Sequence, residues 1–345
     1  MRKTLIALML AATAAPAAAQ STPKPLFASD DLLQLTLQGD FTALARADAG
    51  VEPKSPGSLA VRGTAPLAVE LQPRGITRRA KDVCQFVPIR VRFAAPPPEG
   101  SPFAGQKALK LVTHCRASES FNQYTLLEYA AYRLYQDLTP NSLRARLARI
   151  DYVDPRGKAV ATRYGFFIED ADDAAKRVGM REAKIRNRFP VTRLAPVDAA
   201  RFAVFEYMIG NLDWAMQAGP ADDDCCHNSK PIGVGGASAT TLVPIPYDFD
   251  FAGMVNAPYA TPPFGVPVSN VRQRRYRGLC RHNAEAKALL PAFRAQQARV
   301  AGIFASIPGL DASSQSKAMG YLNGFYADIA TDQQADAKLF KTCLG

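Results

Sequence analysis

The stretch TLVPIPYDFDFAG, residues 241–253, places two carboxylates where the surrounding letters predict burial. Apolar residues spaced by prolines read as a strand up to Pro246, and the chain then leaves it with Asp248 and Asp250 flanking Phe249. Aspartates at such a place either hold a metal ion or close the strand as a polar bend. What the rest of the chain brings to the same point decides between them, and decides the fold that the sequence predicts.

Working outward, NSKPIG (228–233) and a Gly-rich turn, VGGASAT, precede this strand and predict a hairpin. The GVGG within it has no following helix or lysine, so a turn is the better reading than a phosphate loop. Upstream, residues 197–210 place Phe202, Phe205, Met208 and Ile209 on one helical face and run straight into GNLDW (210–214). The chain from about 283 is helical, with Met319, Leu322, Phe325 and Ile329 as one stripe.

The first half reads differently. SLAVRG, LAVELQPRG and VPIRVRF (58–93) alternate apolar with polar as short strands, and KALKLVTHC (107–115) is a buried strand. SESFNQYTLLEYAAYRLYQDL (118–138) is a helix with Tyr124, Leu127, Ala131, Leu134 and Leu138 as its stripe and Ser118 or Ser120 as its cap. A basic alternating segment (142–153), a strand RYGFFIED and a helix ADDAAKRVG follow. Residues 20–57 predict an irregular arm with a short helix around DDLLQLTL (30–37). The expectation is an α+β chain in two lobes: a β-rich N-lobe over 58–153 and a mostly helical C-lobe with a helical tail over 154–345.

Composition bounds the compartment and the partners. Arg2 and Lys3, the apolar run TLIALMLAATAAPAAA and Ala17-Ala18-Ala19 predict a signal peptide cut after Ala19, hence export to a periplasm or the outside. No later stretch has the eighteen apolar residues of a membrane span. The formal charge of +11 is scattered, with one concentration in VRQRRYRGLCRH (271–282). Without interleaved aromatics or a motif this excludes nucleic acid as the expected partner and points to a solvated basic face or to anionic surface polymers. Six cysteines, Cys84, Cys115, Cys225, Cys226, Cys280 and Cys343, predict disulfides in an exported chain. Cys84 can pair with Cys115, and the adjacent Cys225 and Cys226 read as partners in two separate bridges. Zinc at Cys225-Cys226-His227 is the alternative, without C-x-x-C support. No G-x-S-x-G elbow exists for a serine hydrolase.

The order of the remaining polar residues suggests phosphoryl transfer. That chemistry needs a lysine on nucleotide phosphates, a glutamate to fix it, a carboxylate to orient the attacking hydroxyl, and an Asn with a second carboxylate to hold Mg²⁺. Lys107 and Lys110 on a strand, Glu128 on the next helix, then Asp213, Asn228 and Asp248 occur in that order. With VRG (61–63), KALKL, YTLLEYAAYRL, YGFFIED, GNLDW, HNSK and IPYDFDFAG in sequence, the chain resembles the spore-coat protein H (CotH) family of atypical, secreted-type kinases.

The resemblance runs from about residue 58 to 256, and GNLDW with PYDFDFAG is its specific part. It implies a bilobal protein-kinase-like fold and an exported phosphotransferase using Mg²⁺ and ATP on an acceptor that the sequence does not name. It implies Asp213 as the catalytic carboxylate, Asn228 and Asp248 as metal ligands, and Asp250 as a second ligand or support. Lys110 or Lys107 would contact phosphates, Lys110 being preferred for its place in the apolar run, with Glu128 as its partner and Glu169 as a substitute. In the family the asparagine follows the aspartate closely; here WAMQAGPADDDCCH separates them. Two other readings stand beside it: a non-catalytic envelope or surface-binding protein on the same scaffold, and a hydrolase or glycosyltransferase with Asp248 and Asp250 as a D-x-D metal pair.

Overall fold

The computed structural model describes residues 21–48, 50–80, 82–220 and 223–345. The expected signal peptide lies outside the described residues.

Seven strands close into a barrel: β1 (Leu33–Gln38), β2 (Ser55–Val61), β3 (Leu67–Pro73), β4 (Ile89–Phe93), β5 (Ala108–Val112), β6 (Ala145–Val153) and β7 (Ala159–Ile168), in the order β1-β2-β3-β4-β5-β7-β6. All neighbours are antiparallel except β1 and β6, whose parallel pairing closes the ring with Leu35 opposite Ile150. This overturns the expected bilobal kinase-like fold. An open N-lobe sheet is replaced by a closed, mixed barrel, and the barrel takes β1 from the expected arm and β7 from beyond the expected lobe boundary.

The physical reason is legible in β1. LQLTLQ alternates with period two, burying Leu33, Leu35 and Leu37 while Gln34 and Thr36 face out, so the expected helix at 30–37 is a strand. A short helix, α1 (Phe41–Arg46), follows it, capped by the Asp40 carboxylate on Ala43 N at 2.9 Å.

Two cores share the wall formed by β5, β6 and β7. Leu111, Ala148, Ile150, Tyr152 and Phe167 fill the barrel interior. Val112, Leu147, Phe166 and Ile168 face a helical core outside it. Successive strand residues point to opposite faces, so adjacent Phe166 and Phe167 belong to different cores and β7 is apolar on both sides.

Against that wall lies α2 (Ser120–Leu138), packed on β7 and buried nearly all round from Thr125 to Tyr135 rather than along one stripe. Neither Ser118 nor Ser120 caps it; their hydroxyls bond each other at 2.9 Å. Next come α3 (Ala171–Arg177) and α4 (Pro196–Ile209), which ends at Gly210 with φ +69°. A Cβ there would collide with the Tyr321 hydroxyl, so glycine is required both by conformation and by space. A second sheet, in the order β10-β9-β8, contains the expected hairpin: β8 (Arg181–Glu182), β9 (Ser229–Gly233) and β10 (Val243–Pro246). The helices α5 (Asn283–Ala305), α6 (Ala312–Asp328) and α7 (Asp332–Lys338) complete the helical core.

Disulfides join Cys84 to Cys115, Cys225 to Cys226 and Cys280 to Cys343. Cys225 and Cys226 therefore bond each other rather than entering two bridges, which also leaves no thiolate for the zinc alternative. Among the described residues no helix is long and apolar enough to cross a membrane.

Candidate functional site

Four segments deliver the candidate residues to one region: the centre of β5 (Lys110), the middle of α2 (Glu128), the loop after α4 (Asp213), and the two ends of the β9–β10 hairpin (Asn228, Asp248, Asp250). Two of these residues have left-handed backbone, Asn228 at φ +49° and Asp248 at φ +66°. Asn and Asp accept that region more readily than other side chains, and it aims each away from its strand at the hairpin's base. The Asp248 amide donates to the Tyr132 hydroxyl at 3.0 Å, fixing the loop to α2 one turn beyond Glu128.

Asp213 is held by the residues that precede β9. His227 Nε2 lies 2.7 Å from its Oδ1, while Asn228 Nδ2 donates to its Oδ2 at 3.1 Å and to its backbone carbonyl at 2.6 Å. Its hydrogen bond to the Asp213 carboxylate pushes the imidazole's pKa up, against the opposing effect of burial. Both bonds of the Asn228 amide use its nitrogen, so its Oδ1 stays without a hydrogen bond among the described residues.

Asp250 and Glu128 are buried, and Asp248 is half-buried. Glu128 is 2 % exposed and its Oε1 has no hydrogen-bond partner. Burial, followed by the charges of Asp250 and Asp248, holds its carboxyl well above the usual range. Asp250 accepts from the Tyr259 hydroxyl at 3.1 Å and is pushed up to about 7 by burial and then by Asp248. Arg78, buried and anchored by its Nη2 to the Thr113 carbonyl at 2.5 Å, is the counter-charge that opposes both shifts. Asp250 and His227 each feel Asp213 as well as Asp248, so these carboxylates share one electrostatic neighbourhood.

The lysines divide. Lys107 is exposed just before β5, whereas Lys110 lies with its Nζ 5.3 Å from the Tyr247 ring centroid. Lys230 approaches the same ring at 5.7 Å. Burial, then Arg74 and Lys230, bring Lys110 down to about 8, with Asp170 and Asp248 opposing. No ion pair joins Glu128 to either lysine among the described residues; its cationic neighbours are Arg78 and Arg74. Glu169, the substitute partner, is committed elsewhere, accepting from Arg177 at 3.1 Å and from the Arg144 amide at 3.0 Å.

Among the described residues no group of three His, Cys, Asp or Glu side chains is disposed to hold a metal by itself. Asp248, Asp250 and Asn228 Oδ1 are hard oxygen donors of the type Mg²⁺ takes, and Mg²⁺ commonly uses only one or two carboxylates, completing its shell with water and phosphate oxygens. Glu128 Oε1 has no hydrogen-bond partner, and its carboxyl lies within electrostatic reach of both aspartates. Neither of the two cavities of about 500 Å³ includes a candidate residue.

Sequence reasoning offered His227 only as a zinc ligand and gave no role to Lys230, Arg78 or Tyr259. His227 was open to it, being next to Asn228 in the same insertion, and Lys230 follows on the same strand. Arg78 sits in an ordinary basic turn, TRR (77–79), with nothing local to mark it. No protein-family model matches the chain, and no curated protein matches it either.

Proposed function

We propose that this region is a Mg²⁺-assisted phosphoryl-transfer site of an exported protein, taking a nucleotide such as ATP and passing phosphate to an acceptor. The observation that carries it is the position of Asp248, within electrostatic reach of buried carboxylates Glu128 and Asp250 and also of Lys110. A dicationic metal would relieve the first group, and Lys110 with Lys230 would meet phosphate oxygens beside it. In this reading Asp248, with Asp250 and Asn228, holds the metal; Asp213, steadied by His227 and Asn228, orients the acceptor hydroxyl and takes its proton. The bound metal supplies charge neutralisation on the phosphates. Three disulfides support an oxidising compartment. The resemblance to the spore-coat protein H family suggests the roles, and the placement of these groups is what supports them here.

Thermal melting of the native chain and of Asp248→Asn tests it, with Mg²⁺, ATP and both together. The native chain is expected to gain about 2–3 kcal/mol at a hundredfold excess over Kd, only with both ligands, and the variant to gain none. A native melting point that no combination moves sinks the reading and leaves the non-catalytic binding protein.

A further inference from the structure

The basic run 271–282 carries five arginines, Arg272, Arg274, Arg275, Arg277 and Arg281, and none of them forms a salt bridge among the described residues. Three of them are turned toward backbone carbonyls instead. Arg274 donates to Tyr207 O at 3.1 Å and Tyr321 O at 2.5 Å, Arg272 to Gly253 O at 3.3 Å, and Arg277 to Trp214 O at 3.0 Å. Carbonyl bonds fix a guanidinium in place without neutralising it, so the strip stays cationic.

Arg272 and Arg274 join Lys317 of α6 in lining a cleft of about 510 Å³, whose other walls are Asn256, Tyr321, Gly320 and Gly324. No carboxylate lines it. Gly320 and Gly324 are exposed one turn apart, and a Cβ at Gly320 would meet nothing within 4 Å, so the helix backbone forms a low floor. The one aromatic ring is already covered: the Arg274 guanidinium lies 3.7 Å and that of Arg272 4.9 Å from the Tyr321 centroid. An unpaired base would need that ring face for stacking, whereas a peptide backbone can lie on the glycine floor.

We propose that this cleft docks an acidic peptide segment of a partner protein, its carboxylates meeting Arg272, Arg274 and Lys317 and its backbone lying over Gly320 and Gly324. Planar guanidiniums held from behind match carboxylates in bidentate fashion, and the pre-set geometry saves the ordering cost that free surface arginines would carry. The proposal is independent of any transfer chemistry, since it concerns a surface that none of the candidate metal or phosphate residues lines.

A fluorescein-labelled deca-glutamate peptide, followed by anisotropy against the native chain at low and then raised salt, tests it. Binding should weaken as salt rises, and the Arg272→Ala/Lys317→Ala pair should lower affinity about tenfold, the loss of two exposed ionic contacts. The charge-matched pair Arg62→Ala/Arg149→Ala on the barrel wall should leave it unchanged. Gly320→Leu, which builds on the floor without altering charge and whose Cβ would meet nothing within 4 Å, should weaken it by a similar factor. Absence of binding at low salt, equal loss in the barrel-wall pair, or full affinity in Gly320→Leu each overturns the proposal. So does displacement of the peptide by dextran sulfate with the sulfated polymer bound more tightly, which would make the surface a polysaccharide site.

Discussion

The side-chain amide of Asn228 bonds Asp213 twice, at its Oδ2 and at its backbone carbonyl, across a disulfide-bearing insertion of the chain. The asparagine that follows its aspartate late in sequence is thus beside it in space. Asn228→Ala removes both bonds and leaves the Asp213 carboxylate held only by His227 and the local loop. It is expected to lower stability by about 1–3 kcal/mol and to accelerate amide exchange over residues 211–214, measured by melting and by hydrogen exchange. Unchanged exchange in that loop would mean the two bonds position nothing.

The two lysines of β5 and its approach give opposite expectations. Lys110→Met should abolish the stabilisation by ATP with Mg²⁺, and Lys107→Met should stay within about 0.5 kcal/mol of the native chain with or without ligand. Without ligand, Lys110→Met should be more stable than the native chain at pH 7. The folded protein lowers this lysine from 10.5 to about 8, so carrying its proton costs stability below that value, and the cost fades as pH rises between them. With partial solvent screening the gain is about 1 kcal/mol.

Asp250 sets an acid-side dependence. Its carboxyl is raised from 3.8 to about 7, so the folded chain binds a proton there that the unfolded chain has already released. Stability from this group is therefore present below about pH 4 and declines as pH rises to about 7, where Asp248 and Asp213 oppose its ionisation and Arg78 favours it. Asp250→Asn should melt higher than the native chain at pH 8 by about 1–2 kcal/mol, or roughly 1–3 °C, and the difference should shrink at pH 5. If the native chain instead loses stability between pH 7 and 5 and the variant does not, the carboxylate is ionised in the fold.

Cys280 and Cys343 close the longest bridged loop, with a sequence separation of 63, and tie the start of α5 to the end of the chain. Replacing both with serine is expected to cost about 2–4 kcal/mol in a melting experiment. Because this bridge touches no candidate site residue, the shift produced by ATP with Mg²⁺ should keep its native size.

Much of the local structure was legible because it is local. The helix leading into GNLDW and the hairpin ending at Asp248 are set by short-range periodicity and turn residues, and they stand where the pattern put them. The barrel was not legible, because its closing contact pairs residues 33–38 with 148–153, and nothing in either segment names the other. The arm around LQLTLQ was misread because a run dense in leucine fits helix by propensity, while its strict alternation fits strand. At the site, carboxylates and the asparagine were visible as residue types. Arg78 was not, since a buried counter-charge fifty residues from Glu128 is a property of packing alone. The expected Lys–Glu pair failed for the same reason: β5 and α2 are neighbours in sequence, but Glu128 faces the aspartates and Lys110 faces Tyr247.

The parallel seam between β1 and β6 gives the first half of the chain a property that an open sheet lacks. A fragment begun at residue 58, at the predicted lobe boundary, would remove β1 and the first three residues of β2, leaving the rest of β2 and β6 as two bare strand edges. Such edges recruit other chains. The ring is also completed only once β6 and β7 exist, so a chain emerging from its amino end keeps β1 unpaired on one side until more than a hundred further residues have followed.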